Sequence, residues 1–147
     1  MKPFTFGLQK VLNLRKYYED EAKIELGRAV SVLADIESKL RALAAERARA
    51  AAAQFSPGNS AAMIQQYMYY LLRLDNTEEA LLRNKILAEQ KVEEAREAFL
   101  EASRERKVLD KLKDKRHGEY HKEALDEETK VLDDISSGSI ARIAATA

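Results

Sequence analysis

The chain has no cysteine and no tryptophan, and its 147 residues hold only 2 prolines and 5 glycines. Without cysteine there is no disulfide framework, no thiolate nucleophile and no thiolate metal site. So few prolines and glycines leave little material for the many tight turns of a sheet protein. No apolar run approaches the ~20 residues a membrane-spanning helix requires. The charges of Lys and Arg cancel those of Asp and Glu, for a formal net charge of zero. A nucleic-acid binder normally carries a basic stripe, so no nucleic-acid partner is expected. There is no Gly-x-x-x-x-Gly-Lys phosphate loop and no Gly-x-Ser-x-Gly turn.

What is abundant is charge, at 34% of residues, woven into a hydrophobic repeat of period 3.5. From Leu8 the repeat steps by four and three through Leu12, Arg15, Glu19, Ala22, Leu26, Ala29, Leu33, Ile36, Leu40, Leu43, Arg47 and Ala50. A second repeat begins at Ile64 and passes through Tyr67, Leu71, Leu74, Glu78, Leu81, Lys85, Ala88, Val92, Ala95, Phe99, Ala102, Arg106 and Leu109. Each keeps one stripe turned toward a partner helix. Between them lies Phe55-Ser-Pro-Gly-Asn-Ser60. Its Pro57 removes a donor and its Gly58 supplies positive φ, while Asn59 or Ser60 can cap the helix that follows.

The expected fold is therefore all-α: two long helices in an antiparallel coiled-coil hairpin, forming one domain. Helix one is expected over residues 5–53, the turn over 55–60, helix two over 61–135, and a flexible tail from Ser136-Ser137-Gly138 to residue 147. A second helix start at Asp75-Asn76-Thr77 is conceivable from its capping pattern, but neither Pro nor Gly enforces a break, so helix two is read as continuous. The pairs Glu19–Lys23, Glu37–Arg41, Glu79–Arg83 and Asp126–Lys130 sit at i,i+4 on the outer faces and each adds about 0.3 kcal/mol.

The two helices do not match. At 1.5 Å per residue the first spans roughly 70 Å and the second on the order of 110 Å. The last part of helix two should project with no partner. Charge segregates there: residues 101–116 are basic in balance and 117–134 acidic, which suits docking against patterned charge. His117 and His121 share a helical face, yet His-Gly-Glu-Tyr-His lacks the metalloprotease order, so no metal and no cofactor are expected. Carboxylate clusters such as Asp126-Glu127-Glu128 need a pocket to shift their acidity, and two helices offer none. The chain reads as a non-enzyme.

The segment Met63-Ile-Gln-Gln-Tyr-Met-Tyr-Tyr-Leu-Leu-Arg-Leu74 carries more apolar and aromatic faces than a two-helix seam consumes. Tyr and Met are enriched in interface cores. Either a short third helix or the Ala-rich end of helix one covers this segment, or a protein partner binds it.

The opening Phe4-x-Phe6-x-Leu8-x-x-Val11-Leu12-x-Leu14-Arg15-Lys16, the middle Gln65-Gln66-Tyr67 with Leu71, and the closing Glu123-Ala-Leu125-Asp126-Glu127 together resemble the FliJ family of flagellar type III export proteins. The resemblance spans nearly the whole chain. It implies a stalk similar to the coiled coil of the rotary-ATPase γ subunit. Such a stalk inserts into the hexameric flagellar export ATPase, promotes its assembly and activity, and couples it to the cytoplasmic domain of the export gate and to export chaperones. It implies a cytoplasmic protein at the flagellar base, peripheral to the inner membrane through its partners only. On this resemblance and the length mismatch, Leu8, Leu12, Arg15, Lys111, Lys115, Arg116, Tyr120, Leu125, Asp126 and Glu127 are expected to face the ATPase ring. Leu40, Leu43, Arg47, Tyr67, Tyr70, Leu71 and Leu74 are expected to meet the gate or a chaperone. Two alternatives remain open: the injectisome counterpart of the same stalk, and a structural coiled coil self-associating through Val11, Leu14, Tyr18 and Val32. The tail from Ser136 to residue 147 is small and nearly uncharged, and neither its residues nor the resemblance assigns it a role.

Overall fold

The computed structural model describes residues 2–147. Two helices account for nearly all of them: α1, Gln9–Gln54, and α2, Ala61–Thr146. They pack against each other, and no strand occurs among the described residues. By packing, the chain divides into two compact units, one of Met1–Tyr17 with Ser103–Ala147 and the other of Tyr18–Ala102.

The 3.5-residue repeat is what is buried. On α1 and the turn before it, every repeat position from Leu8 to Leu43 is buried or half-buried, and on α2 every one from Ile64 to Leu109 is. Most positions between them are exposed, so the core is a narrow seam. Its best-enclosed members are Leu12, Ala50, Leu74, Ala88 and Val92, with Phe6 joining them from the N-terminal segment. Ala50 and Ala88 are buried although small, and Leu12 is wholly enclosed.

The joint between the helices follows from its residues. Gly58 has φ 90°, a conformation only glycine adopts cheaply. Asn59 donates from Nδ2 to the carbonyls of Ala53, at 2.7 Å, and Gln54, at 3.1 Å, closing the end of α1. Ser60 Oγ accepts from the Met63 amide at 3.3 Å and caps the start of α2. The two candidate caps therefore divide the work between two helix ends.

Two expected boundaries move. Helix one begins at Gln9 rather than residue 5. Residues 2–6 lie in no regular element, and Phe4 and Phe6 sit two apart in the sequence. In an extended backbone that spacing turns both rings to one side, which a helix would not do. Helix two does not stop at 135 but runs to Thr146. Ser136, Ser137 and Gly138 weaken a helix without forbidding it, since none clashes as proline does. Here Ser139 Oγ donates back to the Ser136 carbonyl at 2.8 Å and Thr146 Oγ1 to that of Arg142 at 3.0 Å, turning hydroxyls into helix-compatible partners. Through Asp75-Thr77 α2 is unbroken, with Thr77 Oγ1 bonded to the Arg73 carbonyl. Of the expected surface pairs, Glu79–Arg83 forms at 3.3 Å; Glu37–Arg41 and Asp126–Lys130 do not.

Candidate contact surfaces

No helix among the described residues is long and apolar enough to cross a membrane. The side chains that could meet a partner fall into two sets, one in each unit.

The first set lies in the unit that holds both the chain start and the end of α2. The N-terminal segment forms a strap on α2. Phe4 packs edge-on against the His117 ring, with centroids 5.0 Å apart, and tilts over Tyr120 at 5.5 Å. Tyr120 donates its hydroxyl to the Lys2 carbonyl at 2.7 Å. Phe6 is buried one step further along. Arg15 forms a half-buried ion pair with Glu105, and Arg106 pairs with Asp110 on α2. Beyond Tyr120 the character changes. From His121 to residue 147 only Ala124 and Gly138 escape full exposure. Leu125, Val131, Leu132, Ile135, Ile140 and Ile143 all present their side chains to solvent.

All ten residues expected at the ATPase ring belong to this unit. Lys111, Lys115, Arg116, Leu125, Asp126 and Glu127 are exposed, while Leu8, Arg15 and Tyr120 are half-buried. Lys115 approaches Glu119 at 4.0 Å. Leu12 must be corrected: with no exposed surface it is a packing residue and cannot touch a partner. Sequence reasoning missed Phe4, Phe6 and His117 as the strap and its seat. The alternation of Phe4 and Phe6 was the available signal.

The second set lies in the other unit, beside the interhelical turn. Tyr70 donates its hydroxyl to Glu46 Oε1 at 2.9 Å, and Arg49 binds the other Glu46 oxygen at 2.7 Å. The Tyr70 bond, and next the Arg49 charge, hold the Glu46 carboxyl below its ordinary 4.5. The same bond, with a lesser contribution from burial, pushes the Tyr70 hydroxyl above its ordinary 10.0. Arg73 stacks over the Tyr70 ring at 5.6 Å. Arg47 Nε lies 3.0 Å from Asp75 Oδ1, an ion-pair distance, though Oδ1 gains no aligned hydrogen bond. A groove of about 470 Å³ is bordered by Met63, Gln66, Tyr67, Tyr69, Tyr70 and Arg73.

Leu40, Leu43, Tyr67, Tyr70 and Leu71 are half-buried here and Arg47 is exposed. Leu74 is the second correction: it is buried in the seam and supports the surface from below. No third helix covers the Tyr/Met segment among the described residues. Its most exposed apolar members are Met68, Tyr69 and Leu72, which belong to the segment singled out from the sequence but not to the residues expected to meet the gate or a chaperone. Glu46 was also missed, because it lies one position from the seam residue Arg47 and carries no pattern of its own.

A comparison with curated proteins and one with solved structures each gave no significant match. The family model described as flagellar FliJ protein matches residues 4–144. With a match that reaches from the strap through nearly all of α2, the chain belongs to the FliJ family and is a protein of flagellar export.

Proposed function

We propose that this protein is a non-enzymatic stalk of the flagellar type III export apparatus. In this reading α1 and α2 form an antiparallel hairpin, and the last third of α2 overhangs it. Within one unit the contacts pair residue 15 with 105 and residue 4 with 117 and 120. Within the other they pair 47 with 75 and 46 with 70. In the first, the lower-numbered residue meets the higher-numbered ones on α2, the order an antiparallel hairpin requires, which supports that reading. The observation that carries the reading is the continuation of α2 as helix from His121 to Thr146 with almost every residue exposed. An uncovered helix of that length is marginal in water. It suits a shaft whose packing partner is another protein.

The shaft enters the central hole of the hexameric export ATPase, promotes ring assembly and raises turnover. The contact uses Leu8, Arg15, Lys111, Lys115, Arg116, Tyr120, Leu125, Asp126 and Glu127. The tyrosine groove, with Leu40, Leu43, Arg47, Tyr67, Tyr70 and Leu71, meets the cytoplasmic domain of the export gate or an export chaperone. The protein then works in the cytoplasm at the flagellar base, at the inner membrane only through these partners. The family match is to flagellar proteins, which favours this system over an injectisome.

The test is turnover of the flagellar export ATPase, titrated with the full chain and with a form ending at Ala124, which keeps the seat of the strap. Stimulation by the first and not the second is expected. No stimulation by either refutes the stalk. A competing reading rests on the exposure of Val11, Leu14, Tyr18 and Val32, which could join copies of the chain. It predicts a concentration-dependent dimer in sedimentation, abolished by Leu14→Asp, and no effect on the ATPase.

A further inference from the structure

The strap and the end of α2 share one face, and the strap covers only its beginning. Lys113 and Tyr120 continue the seam and are half-buried, Tyr120 against Phe4 and Lys2 of the N-terminal segment. The same face runs on through half-buried Ala124 to Val131 and Ile135, which are exposed. Beside it Leu125, Leu132, Ile135 and Ile143 fall on a single helical face at the 3.6-residue period. Leu132 is 66% exposed, Ile135 63% and Ile143 68%. A groove of about 480 Å³ is bordered by Ala124, Glu127, Glu128, Val131 and Leu132, so carboxylates and apolar side chains wall the same hollow. This segment includes the stretch after Ser136 for which the sequence suggested no role.

Charge says what fits there. Up to Glu119 three of this unit's four carboxylates are matched, Glu105 by Arg15, Asp110 by Arg106 and Glu119 by Lys115, with Asp114 the exception. Further on, Asp126, Glu127, Glu128, Asp133 and Asp134 form no ion pair among the described residues. On the helix Asp126 and Asp133 flank the apolar face on one side, Glu127 and Asp134 flank it on the other, and Glu128 lies within it. A second copy laid on this face would set carboxylates against carboxylates, which costs affinity. An anionic membrane surface is repelled for the same reason.

We infer that this face receives an amphipathic segment of another protein, whose apolar side chains are flanked by lysine or arginine. The basic part of that segment meets residues 126–134. Its uncharged part meets the last turns of α2, where Arg142 is the only charge. The inference rests on the reading of this end of α2 as a contact surface and adds the chemistry of what it contacts. Apolar contact supplies affinity, and the charge frame selects the partner and fixes its direction along the helix.

The test uses the full chain and two labelled peptides of identical heptad pattern. One has leucine at the seam positions and lysine elsewhere; the other has glutamate in place of lysine. The lysine peptide is expected to bind at least about tenfold tighter, and to weaken as salt rises. Leu132→Asp with Ile135→Asp should remove that binding. Glu127→Lys with Glu128→Lys should erase or reverse the preference. These residues are exposed, and circular dichroism of each variant checks that helix content is kept. Equal binding of the two peptides overturns the inference. So does binding that ignores Leu132→Asp/Ile135→Asp, which would locate it on another acidic patch. Self-association lost in that double variant also overturns it, by making a second copy the occupant. Stimulation of the export ATPase by the full chain is measured in parallel. If it persists while the peptides bind alike, the stalk stands and this inference alone falls.

Discussion

Among the described residues Leu12 is the one large side chain with no exposed surface, in a protein whose seam is otherwise mostly half-buried. Leu12→Ala removes three carbon atoms from that site. At about 0.8 kcal/mol per buried methylene, the lost transfer free energy is about 2.4 kcal/mol. A cavity adds to this in a thick core, where Leu→Ala reaches about 5 kcal/mol. In a unit only two helices and a strap thick, neighbours can close the gap, so a total of about 2.5–3.5 kcal/mol is expected. Leu14 is the control. It sits two residues away on the same helix and is 48% exposed. Leu14→Ala forfeits about half the transfer term and opens no enclosed cavity, or about 1 kcal/mol. The assay is urea unfolding followed by circular dichroism, with midpoints compared at equal slope. If the two substitutions cost the same, or Leu14 costs more, the burial of the repeat through Leu8, Leu12 and Arg15 is refuted.

Tyr70→Phe removes the hydroxyl bonded to Glu46, so the Glu46 carboxyl should rise toward 4.5, seen by NMR titration. A lowered folded-state value stabilises above the unfolded value and fades as pH falls through the folded one, so wild type and variant should converge in stability in acid below 4.5. Tyr120→Phe keeps the ring against Phe4 but loses the bond to the Lys2 carbonyl. The strap should loosen by about 0.5–1 kcal/mol, read as faster amide exchange of residues 4–8 without global destabilisation. Gly118 lies inside α2, and a methyl added there meets nothing within 4 Å. Gly118→Ala should therefore raise stability by about 0.5–1 kcal/mol, and a loss would mean the helix is distorted at that point.

The seam was legible because period 3.5 is a property of the chain itself, and burial tracked it at every repeat position but Arg47. The turn was legible because Pro57, Gly58 and Asn59 each have one conformational use. The strap was not, since two phenylalanines before a helix read equally well as its first turn. The run of α2 past Ser136 was not, because weak helix formers set a probability of ending and side-chain bonds from Ser139 and Thr146 decide it. Glu46 and the burial of Leu12 and Leu74 were illegible for a further reason: the repeat says which face is inside, not how deep each member lies or which off-seam group reaches across.

The charged residues in the repeat have a role that hydrophobicity alone does not provide. Arg15 and Arg47 occupy seam positions where leucine would bury more apolar surface, and each finds a carboxylate on α2, Glu105 and Asp75. Slide one helix by a heptad and Arg15 faces Ala98 or Leu112, while Arg47 faces Met68 or Leu82. All four are apolar, so either slip leaves both guanidiniums without a partner, whereas the leucines would repack nearly as well. The pairs are partly exposed, so each stabilises by only about 0.2–1 kcal/mol. Their value lies in the gap between registers, as with polar residues at coiled-coil seams. Replacing Arg15, Arg47, Glu105 and Asp75 with methionine should therefore leave or raise the unfolding midpoint while making the register heterogeneous. Spin labels at the exposed positions 30 and 91 would report this as a broadened or second distance. A single sharp distance with a lowered midpoint would mean the pairs act as ordinary stabilising contacts and that register is set by the turn alone.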